Sequence, residues 1–344
     1  MHLPSLVFPY IAPPKPLELI EAAPGIFWLR LPLPFRLDHV NVYLIQDGDG
    51  FVLVDTGLDN SATRELWQAL FAGPLRGRRL TAVVATHWHP DHIGLAGWLA
   101  EREGVKIFAS QSEYLDCRCL WLDPNALDSD DFSDFFRLHG LDAEQTEVML
   151  KRGLGYLKLV APLPRTYRRV VAGESLDIGG RKFDVLTGGG HSSEQVMLYC
   201  EEANVFLSAD QIMAKITPNI SVDPIDPDGD PLGIYLRSLK ELNRRIPEDA
   251  LLLPGHNLPF VGIMTRIAEL EAHHKTRCEM IVQACRETPH SAADMVPVLF
   301  GRSIEDPHQL SFAFSESLAH ANYLIRRGEL ETIETKDGVT MRAA

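Results

Sequence analysis

The sequence predicts an α/β fold in which several strands end at a common rim of polar residues. Apolar runs typical of buried strands alternate with helix-like stretches between Gly25 and His256. Five of these runs are closely followed by a histidine or an aspartate. The residues at these strand ends are Asp55, His87 with His89, His191, Asp210 and His256. In α/β architectures ligands collect at the carboxyl ends of strands, so we expect these side chains to converge on one site.

The N-terminal part predicts three strands and then a helix. The strands are expected at 26–29, 40–45 and 51–54, and the helix at 61–70. Asp47-Gly48-Asp49-Gly50 lies between the last two strands and predicts a hairpin turn. The third strand ends at Asp55, the first of the polar residues at the rim.

The stretch Thr86–His92 contains the densest group of potential metal ligands. It holds three imidazoles and a carboxylate directly after an apolar run. His87 and His89 stand two positions apart at a strand end, so both can point at one spot. Asp91 and His92 begin the following helix and can point at a second spot beside it. Neutral imidazoles and a carboxylate are the ligands that suit zinc or a similar divalent metal. One histidine would favour a polar surface turn, whereas this cluster favours a metal site.

The segment from about 111 to 169 predicts a helical insertion. Asp142–Gln145 is a capping box for a helix that we expect to run to about Val160. The acidic residues before it predict a solvated face; they are Asp123, Asp128, Asp130, Asp131 and Asp134, and Pro124 interrupts the run.

Strands resume after the insertion. They are expected at 182–186, 196–199, 205–209 and 250–253, with a helix at 233–245. His191 follows three glycines, which let the backbone approach a site closely. Asp210 and His256 each follow the end of a strand.

Composition argues against several classes of partner. The formal net charge is 33 − 47 = −14, so the chain has no general attraction for nucleic acid or an anionic membrane. No apolar run approaches the roughly 18 residues of a membrane span. The proline-rich start lacks the features of a secretory signal, and the five cysteines form no Cys-x-x-Cys pair. We therefore expect a cytoplasmic protein without a disulfide framework.

The motif His87-x-His89-x-Asp91-His92, with three further donors downstream, resembles the metallo-β-lactamase superfamily over roughly residues 20 to 262. The resemblance implies an αββα sandwich, two mixed sheets face to face with helices outside. It also implies roles for the donor residues: His87, His89 and His191 hold a first metal, Asp91, His92 and His256 hold a second, and Asp210 bridges the two. Asp55 matches an aspartate that orients a metal-binding histidine and so fixes its tautomer.

The same resemblance predicts a hydrolase with two divalent ions, zinc first and iron or manganese as alternatives. A water shared by two metals becomes a hydroxide near neutral pH and can attack a small acyl substrate such as a thioester, ester or lactone. Asp91 could manage the leaving-group proton. Lys215 or Asn219, in the loop after Asp210, could contact substrate, with a structural role in the loop as the alternative. Tyr156, in the insertion, is expected to contact substrate and to set substrate preference.

Residues 264–344 predict a separate small domain, so that the expected catalytic domain is 1–263. A long helix with an apolar face, a short helix capped at Ser291–Asp294 and a helix ending before Gly328 precede a hairpin. The hairpin turn is expected at Lys336-Asp337-Gly338, and the order describes a winged helix. We interpret His273 and His274 as packing residues rather than ligands, because no other ligand cluster lies nearby in sequence.

Two other functions stay open. The winged-helix-like tail suggests a phosphodiesterase or endoribonuclease, but from Thr265 onward nine Lys and Arg face twelve Asp and Glu. Nucleic-acid binding needs a basic surface, so nucleic acid is disfavoured and the tail is expected to pack or form a homodimer. The second of these alternatives is an iron-dependent oxidoreductase, or a non-catalytic sensor, of the same fold.

Overall fold

The computed structural model describes residues 5–123, 129–304, 306–336 and 338–344. Pro124 and Asp128 of the predicted acidic run and Asp337 of the predicted turn lie outside the described residues. The strands are β1 (Ile20–Ala23), β2 (Ile26–Pro32), β3 (His39–Asp47), β4 (Gly50–Val54), β5 (Leu80–Val84), β6 (Ile107–Ala109), β7 (Arg168–Arg169), β8 (Ser175–Ile178), β9 (Arg181–Gly188), β10 (Gln195–Cys200), β11 (Val205–Ala209), β12 (Leu251–Pro254), β13 (Leu330–Thr335) and β14 (Gly338–Ala343). The helices are α1 (Ser61–Ala72), α2 (Pro90–Ile93), α3 (Ala96–Glu103), α4 (Gln111–Leu122), α5 (Asp130–Leu138), α6 (Ala143–Gly155), α7 (Pro231–Arg245), α8 (Ile263–Glu287), α9 (Ala292–Phe300) and α10 (Pro307–Arg326), with a 3₁₀ turn at Tyr156–Lys158.

Two mixed sheets organise the part of the chain that holds the strand-end residues. The larger sheet has the order β1 to β7, antiparallel up to β4 and parallel from β4 to β7. The smaller has the order β12-β11-β10-β9-β8 and is antiparallel except for the parallel pair β11 and β12. Parallel neighbours such as β4 and β5 end at the same edge of their sheet, and so do β11 and β12.

The main core lies between these two sheets. Alternate residues of the strands point inward, because side chains on a strand alternate between its faces. The larger sheet contributes Trp28, Tyr43, Val54 and Val84, and the smaller contributes Phe183, Val185, Val196 and Leu207. These side chains are almost fully buried, so both sheets are fixed by one apolar layer.

The chain divides into two compact units. The first consists of Met1–Leu122, Tyr156–Pro218 and Leu242–Arg266, and the second of Asp123–Gly155, Asn219–Glu241 and Ile267–Ala344. The sequence-based boundary between 263 and 264 cuts the chain once, whereas the second unit gathers three separate segments.

In the second unit, α9 and α10 follow the part of α8 that belongs to it, and a β13–β14 hairpin comes last. This is the predicted order, and Ser291 with Asp294 forms the predicted capping box. The apolar face of α8 is buried at Ile267, Leu270 and Ile281. The assignment of these elements to a winged helix stays a prediction.

The helices that the structure describes were compared with the requirements of a membrane span. None of them combines the length and the apolar composition that crossing a bilayer requires.

Candidate functional site

The predicted donor residues come together in the first unit, where five strands end. Each side chain leaves the chain just beyond a buried strand, or in the helix that follows it. Asp55 follows β4, His87 and His89 follow β5, Asp91 and His92 lie in α2, His191 follows β9, Asp210 follows β11, and His256 follows β12. The prediction that these residues converge is confirmed by their mutual distances.

Three overlapping groups of donors are close enough to hold an ion. In each group one donor atom per residue lies within 4.8 Å of the others. The groups are His87 with His89 and His191, His87 with His92 and Asp210, and Asp91 with His92 and His256. Because the groups share members, they form one continuous cluster of nitrogen and oxygen atoms.

Asp210 lies at the centre of this cluster. Its Oδ2 atom is 3.1 Å from Nε2 of His256, 3.5 Å from Nε2 of His92 and 3.5 Å from Nε2 of His191. The residue is 4% exposed, so these contacts form away from bulk water. One carboxylate oxygen thus faces imidazoles from different donor groups.

Burial keeps two of the imidazoles neutral. It lowers the pKa of His87 well below its ordinary value, and the neighbouring His92 and His89 add to the effect. The pKa of His89 falls to about 3, again through burial and then through His191. A neutral imidazole keeps a free lone pair on one ring nitrogen, and this neutral form is the one that binds a metal ion.

The pKa values of His92 and His256, which face carboxylates, are raised instead. Burial opposes a charge on His256, but Asp210 and Asp91 outweigh it and raise its pKa to about 10. Asp210, Asp91 and Asp55 likewise raise the pKa of His92 well above its usual value against the effect of burial. The carboxylates therefore favour positive charge at the place where a cation would bind.

Two buried atoms support a metal ion in this cluster. Within the described part of the chain, Nε2 of His92 and Oδ1 of Asp210 have no hydrogen-bond partner. A buried polar atom without a partner is costly, by about 1–3 kcal/mol. A divalent cation would coordinate such atoms, and imidazole nitrogen and carboxylate oxygen are the ligands that zinc takes. The residues therefore fit a divalent metal.

Hydrogen bonds orient the imidazoles toward Asp210. Nδ1 of His92 lies 2.8 Å from Oδ2 of Asp55, and Nδ1 of His256 lies 2.7 Å from the carbonyl oxygen of His39. In both rings Nδ1 is therefore the donor, which leaves Nε2 for the centre of the cluster. Asp55 also accepts hydrogen bonds from the Thr86 amide and hydroxyl, so it fixes the turn that leads to His87.

Glu113 belongs to the surroundings of the site but is not predicted from the sequence. It lies in the first turn of α4 and is fully buried. Its carboxylate accepts hydrogen bonds from the Trp88 amide at 2.8 Å, the Ser192 hydroxyl at 2.6 Å and the Glu194 amide at 2.6 Å. Burial raises its pKa to about 7 against these hydrogen bonds. In the sequence Glu113 follows the β6 run with no neighbouring histidine, so no pattern indicates this role.

The three predicted substrate contacts have different surroundings. Lys215 is exposed, and its backbone amide donates to Oδ1 of Asn257, the residue after His256. Tyr156 is buried, and its hydroxyl donates to the Trp88 carbonyl at 2.6 Å. Asn219 belongs to the second unit, where its amide donates to the Ser221 hydroxyl. Contact of these side chains with a substrate stays a prediction.

The second unit holds another buried cluster, which contains His273, His274 and Glu316. Arg277 pairs with Glu316 at 2.6 Å, and Nδ1 of His274 lies 3.1 Å from Nε2 of His320. The cluster joins α8 to α10 across a long sequence separation, which is why it was not visible in the sequence. We interpret it as a buried polar network, because Arg277 already neutralises the carboxylate.

The comparisons agree with this geometry. Residues 35–256 match the family model described as "Metallo-beta-lactamase superfamily". The match spans the five strand ends and covers more than half of the chain. The chain belongs to the metallo-beta-lactamase superfamily. Residues 278–342 match a second model, described as "Metallo-beta-lactamase-like, C-terminal domain".

Relatives extend the likeness over the whole chain. A β-lactamase domain protein from Burkholderia ambifaria has a crystal structure that is similar with a TM-score of 0.89 at 38% identity, covering 98% of this chain and 97% of that one. The probable metallo-hydrolase YqjP of Bacillus subtilis (strain 168) is 25% identical over 323 residues, 91% of this chain and 93% of the relative. The acyl-coenzyme A thioesterase MBLAC2 of Homo sapiens is 24% identical over 241 residues, 67% of this chain and 78% of the relative.

These findings confirm the predicted fold class and the predicted type of enzyme. Like the superfamily members it matches, the chain has the metallo-β-lactamase fold and is a metal-dependent hydrolase.

Proposed function

We propose that this superfamily member hydrolyses a small acyl compound, a thioester foremost, with two divalent metal ions, of which zinc is the first choice. The observation that carries the two-ion proposal is the central position of Asp210, whose Oδ2 atom faces His92, His191 and His256 within 3.5 Å. A carboxylate in that position can bridge two ions. His87, His89 and His191 would hold one, and Asp91, His92 and His256 the other.

When bound, two such ions supply a nucleophilic hydroxide near neutral pH and polarise the oxygen that gains charge. Other residues of this chain hold the metal-binding side chains in place. Asp55 and the His39 carbonyl hold the rings of His92 and His256 in one tautomer. Asp91 lies beside His92 and His256, and its side chain is 19% exposed, so it could take a proton from the attacking water and pass it to the leaving group.

The choice of a small acyl substrate rests on charge and on one relative. The human relative is named as an acyl-coenzyme A thioesterase, and its likeness to this chain supports a thioester. A polynucleotide must be attracted through many phosphates, and a chain with a net charge of −14 repels it. A small thioester needs to place only one carbonyl at the donor cluster. Its binding does not require attraction through many phosphates.

The test combines elemental analysis with a substrate panel. We expect two equivalents of divalent metal per chain and turnover of acyl thioesters, with lactones second and single-stranded RNA inert at low and at physiological salt. His87→Ala should lose metal and activity, and Asp210→Ala should weaken the binding of both ions. One tightly held ion in the intact protein, or efficient RNA cleavage that falls steeply with salt, would overturn the proposal.

A further inference from the structure

Two loops of the first unit carry the three histidines assigned to one ion. The loop after β5 holds His87 and His89, and the loop after β9 holds His191. These rings lie close together: the ring centroids of His89 and His191 are 4.6 Å apart and those of His87 and His191 are 5.2 Å apart. The site therefore depends on how the tips of two separate loops are held together.

Glu113 spans these two tips. Its Oε2 atom accepts the hydrogen bond from the Trp88 amide, which lies between His87 and His89. Its Oε1 atom accepts the hydrogen bond from the Glu194 amide, and the Ser192 hydroxyl is within 2.6 Å of both oxygens. The carboxylate thus binds both loops at once, and Ser192 adjoins His191 directly.

The Trp88 peptide is held from its other side as well. The Tyr156 hydroxyl donates to the Trp88 carbonyl oxygen at 2.6 Å, while Glu113 binds the Trp88 amide. Both polar groups of the residue between two candidate ligands are therefore bound by buried side chains. The amide belongs to the His87–Trp88 peptide and the carbonyl to the Trp88–His89 peptide, so neither peptide can rotate without breaking one of these bonds, and the backbone that carries His87 and His89 is fixed.

A buried carboxylate without a cation is expensive, and this cost indicates that the residue has a specific task. The groups that bind Glu113 are neutral donors: two backbone amides and a hydroxyl. Moving a carboxylate out of water is costly unless hydrogen bonds replace its hydration. A glutamine or an apolar residue would avoid that cost, but neither could accept a hydrogen bond from each loop through two oxygens.

We propose that Glu113 is a positioning residue for one ion of the pair: by tying the Trp88 peptide to the turn at Ser192–Glu194, it sets the spacing of His87, His89 and His191. The other ligand group, Asp91 with His92 and His256, receives no hydrogen bond from Glu113 and is oriented by Asp55 and His39 instead. This inference rests on the proposed two-ion site, and it predicts that the two ions respond differently to the loss of Glu113.

The test is the Glu113→Gln variant, which keeps the shape of the side chain but replaces one acceptor oxygen with a donor. A donor then faces a donor at one of the two loops. We expect the ion held by His87, His89 and His191 to bind about 10–100-fold more weakly, the usual effect of losing a residue that supports metal ligands. Competition with a chromophoric chelator for Zn²⁺ or Co²⁺ measures the two affinities without an activity assay.

A cycle of variants identifies the ion affected. In a His191→Ala background, where that ion is already lost, Glu113→Gln should change the remaining affinity little. In a His256→Ala background it should still weaken the remaining ion. The matched control is Asp116→Asn on the same helix, because that carboxylate accepts a hydrogen bond from Ser193 at 2.7 Å without touching Trp88. We expect the control to bind both ions like the intact protein.

The possible results distinguish two failures: a failure of the clamp, meaning the proposed positioning role of Glu113, and a failure of the two-ion proposal itself. If the intact protein fails to hold two ions, the two-ion proposal and the clamp built on it are both wrong. If it holds two and Glu113→Gln holds them with unchanged affinities, or weakens both equally together with the melting temperature of the metal-free protein, the clamp is wrong and the two-ion site stands. Should Glu113→Gln fail to fold, Ser192→Ala removes one of the hydrogen bonds, and a smaller loss at the same ion is expected; equal affinities there would overturn the proposal.

Discussion

At the scale of single residues, Asp55 shows how the chain fixes the chemistry of a histidine that it does not adjoin in sequence. Its backbone adopts a φ of 61°, a conformation that residues other than glycine rarely take. The strained turn places the carboxylate against the Thr86 amide, the Thr86 hydroxyl and Nδ1 of His92. The proton of the His92 ring is thereby held on Nδ1.

Asp55→Asn tests this arrangement. The amide has the size of the carboxylate but offers a donor, so it no longer specifies the Nδ1–H tautomer of His92. We expect metal affinity to fall about 10–100-fold, measured by chelator competition. Asp59→Asn is the matched control, since that carboxylate pairs with Arg64 at 2.6 Å near the same strand end. Equal loss in both variants would show a general effect on the turn.

Gly255 is the second residue whose role becomes clear only in three dimensions. A β-carbon at this position would lie 2.2 Å from Oδ1 of Asp210 and 2.8 Å from Cε1 of His92. Both atoms belong to buried donors of the site, so neither can move without changing it. Glycine is needed at position 255 because a β-carbon there would clash with these two atoms.

We therefore expect Gly255→Ala to displace Asp210 and to remove at least one metal ion, while the protein still folds. Elemental analysis beside a circular dichroism spectrum checks both parts. Gly155→Ala, where nothing lies within 4 Å of an added β-carbon, is the control and should keep its metal. A Gly255→Ala protein with full metal content would contradict this account.

The predictability of the site follows from these cases. The donor residues were predictable because each stands at the end of an apolar strand or in the helix that follows it, and strand ends meet at one rim. Glu113 and His39 were not, since their contributions come from a buried carboxylate and a backbone carbonyl that meet the site only after folding. A sequence pattern indicates which residue types occur at which spacing. It does not indicate which distant polar group forms hydrogen bonds with these residues.

At the scale of elements, segments with an apolar pattern were predictable and exposed ones were not. The strands β3, β9 and β11 and the helix α1 lie where the pattern predicts them. The strand β7 has two exposed arginines and no apolar alternation, so only its pairing with β6 reveals it. Exposed edge strands of this kind have no pattern of apolar residues from which they could be predicted.

The insertion shows a tertiary contact that overrides local preference. The predicted helix from Asp142 to about Val160 ends at Gly155, and a 3₁₀ turn takes Tyr156–Lys158. The tighter turn accompanies the bond from the Tyr156 hydroxyl to the Trp88 carbonyl. The acidic residues Asp130 and Asp131 are exposed in the first turn of α5, as a solvated face predicts, and there they complement the helix dipole.

The ion pair between α8 and α10 permits a prediction at this scale. Nη1 of Arg277 is 2.6 Å from Oε1 of Glu316, and both side chains are largely buried. Removing Arg277 leaves the Glu316 carboxyl group buried without its ion-pair partner, a loss that costs about 3–5 kcal/mol. We expect Arg277→Met to lower the free energy of unfolding by roughly 3 kcal/mol in urea denaturation.

The double variant Arg277→Met with Glu316→Leu supplies the comparison. Replacing both charges with apolar residues of similar volume removes the uncompensated charge, so the double variant should lose much less stability than the two single variants added together. Losses that simply add would mean that the two side chains act independently.

At the scale of the whole molecule, the main feature is a second unit assembled from three stretches of chain. The helices α5 and α6 belong to it, although they lie between strands of the first unit in sequence. Within the second unit the Phe136 and Phe314 rings are 6.0 Å apart, and the Ala293 amide donates to the His139 carbonyl at 3.1 Å. The family model for the C-terminal domain covers only residues 278–342, so the sequence alone does not identify the earlier segments as its partners.

This arrangement decides what removing residues 265–344 should do. A tail that folds by itself could be removed without harm, but here α5 and α6 would lose α9, α10 and the hairpin on which they pack. Phe135 and Phe136 are 8% and 6% exposed in the intact chain and would face water. Because exposed apolar patches drive association, we expect the shortened protein to aggregate in size-exclusion chromatography. Phe135→Ser with Phe136→Ser in the shortened chain should reduce the aggregation, since these substitutions remove the newly exposed rings. A shortened protein that elutes as a single species and keeps its metal content would mean that α5 and α6 do not depend on the tail.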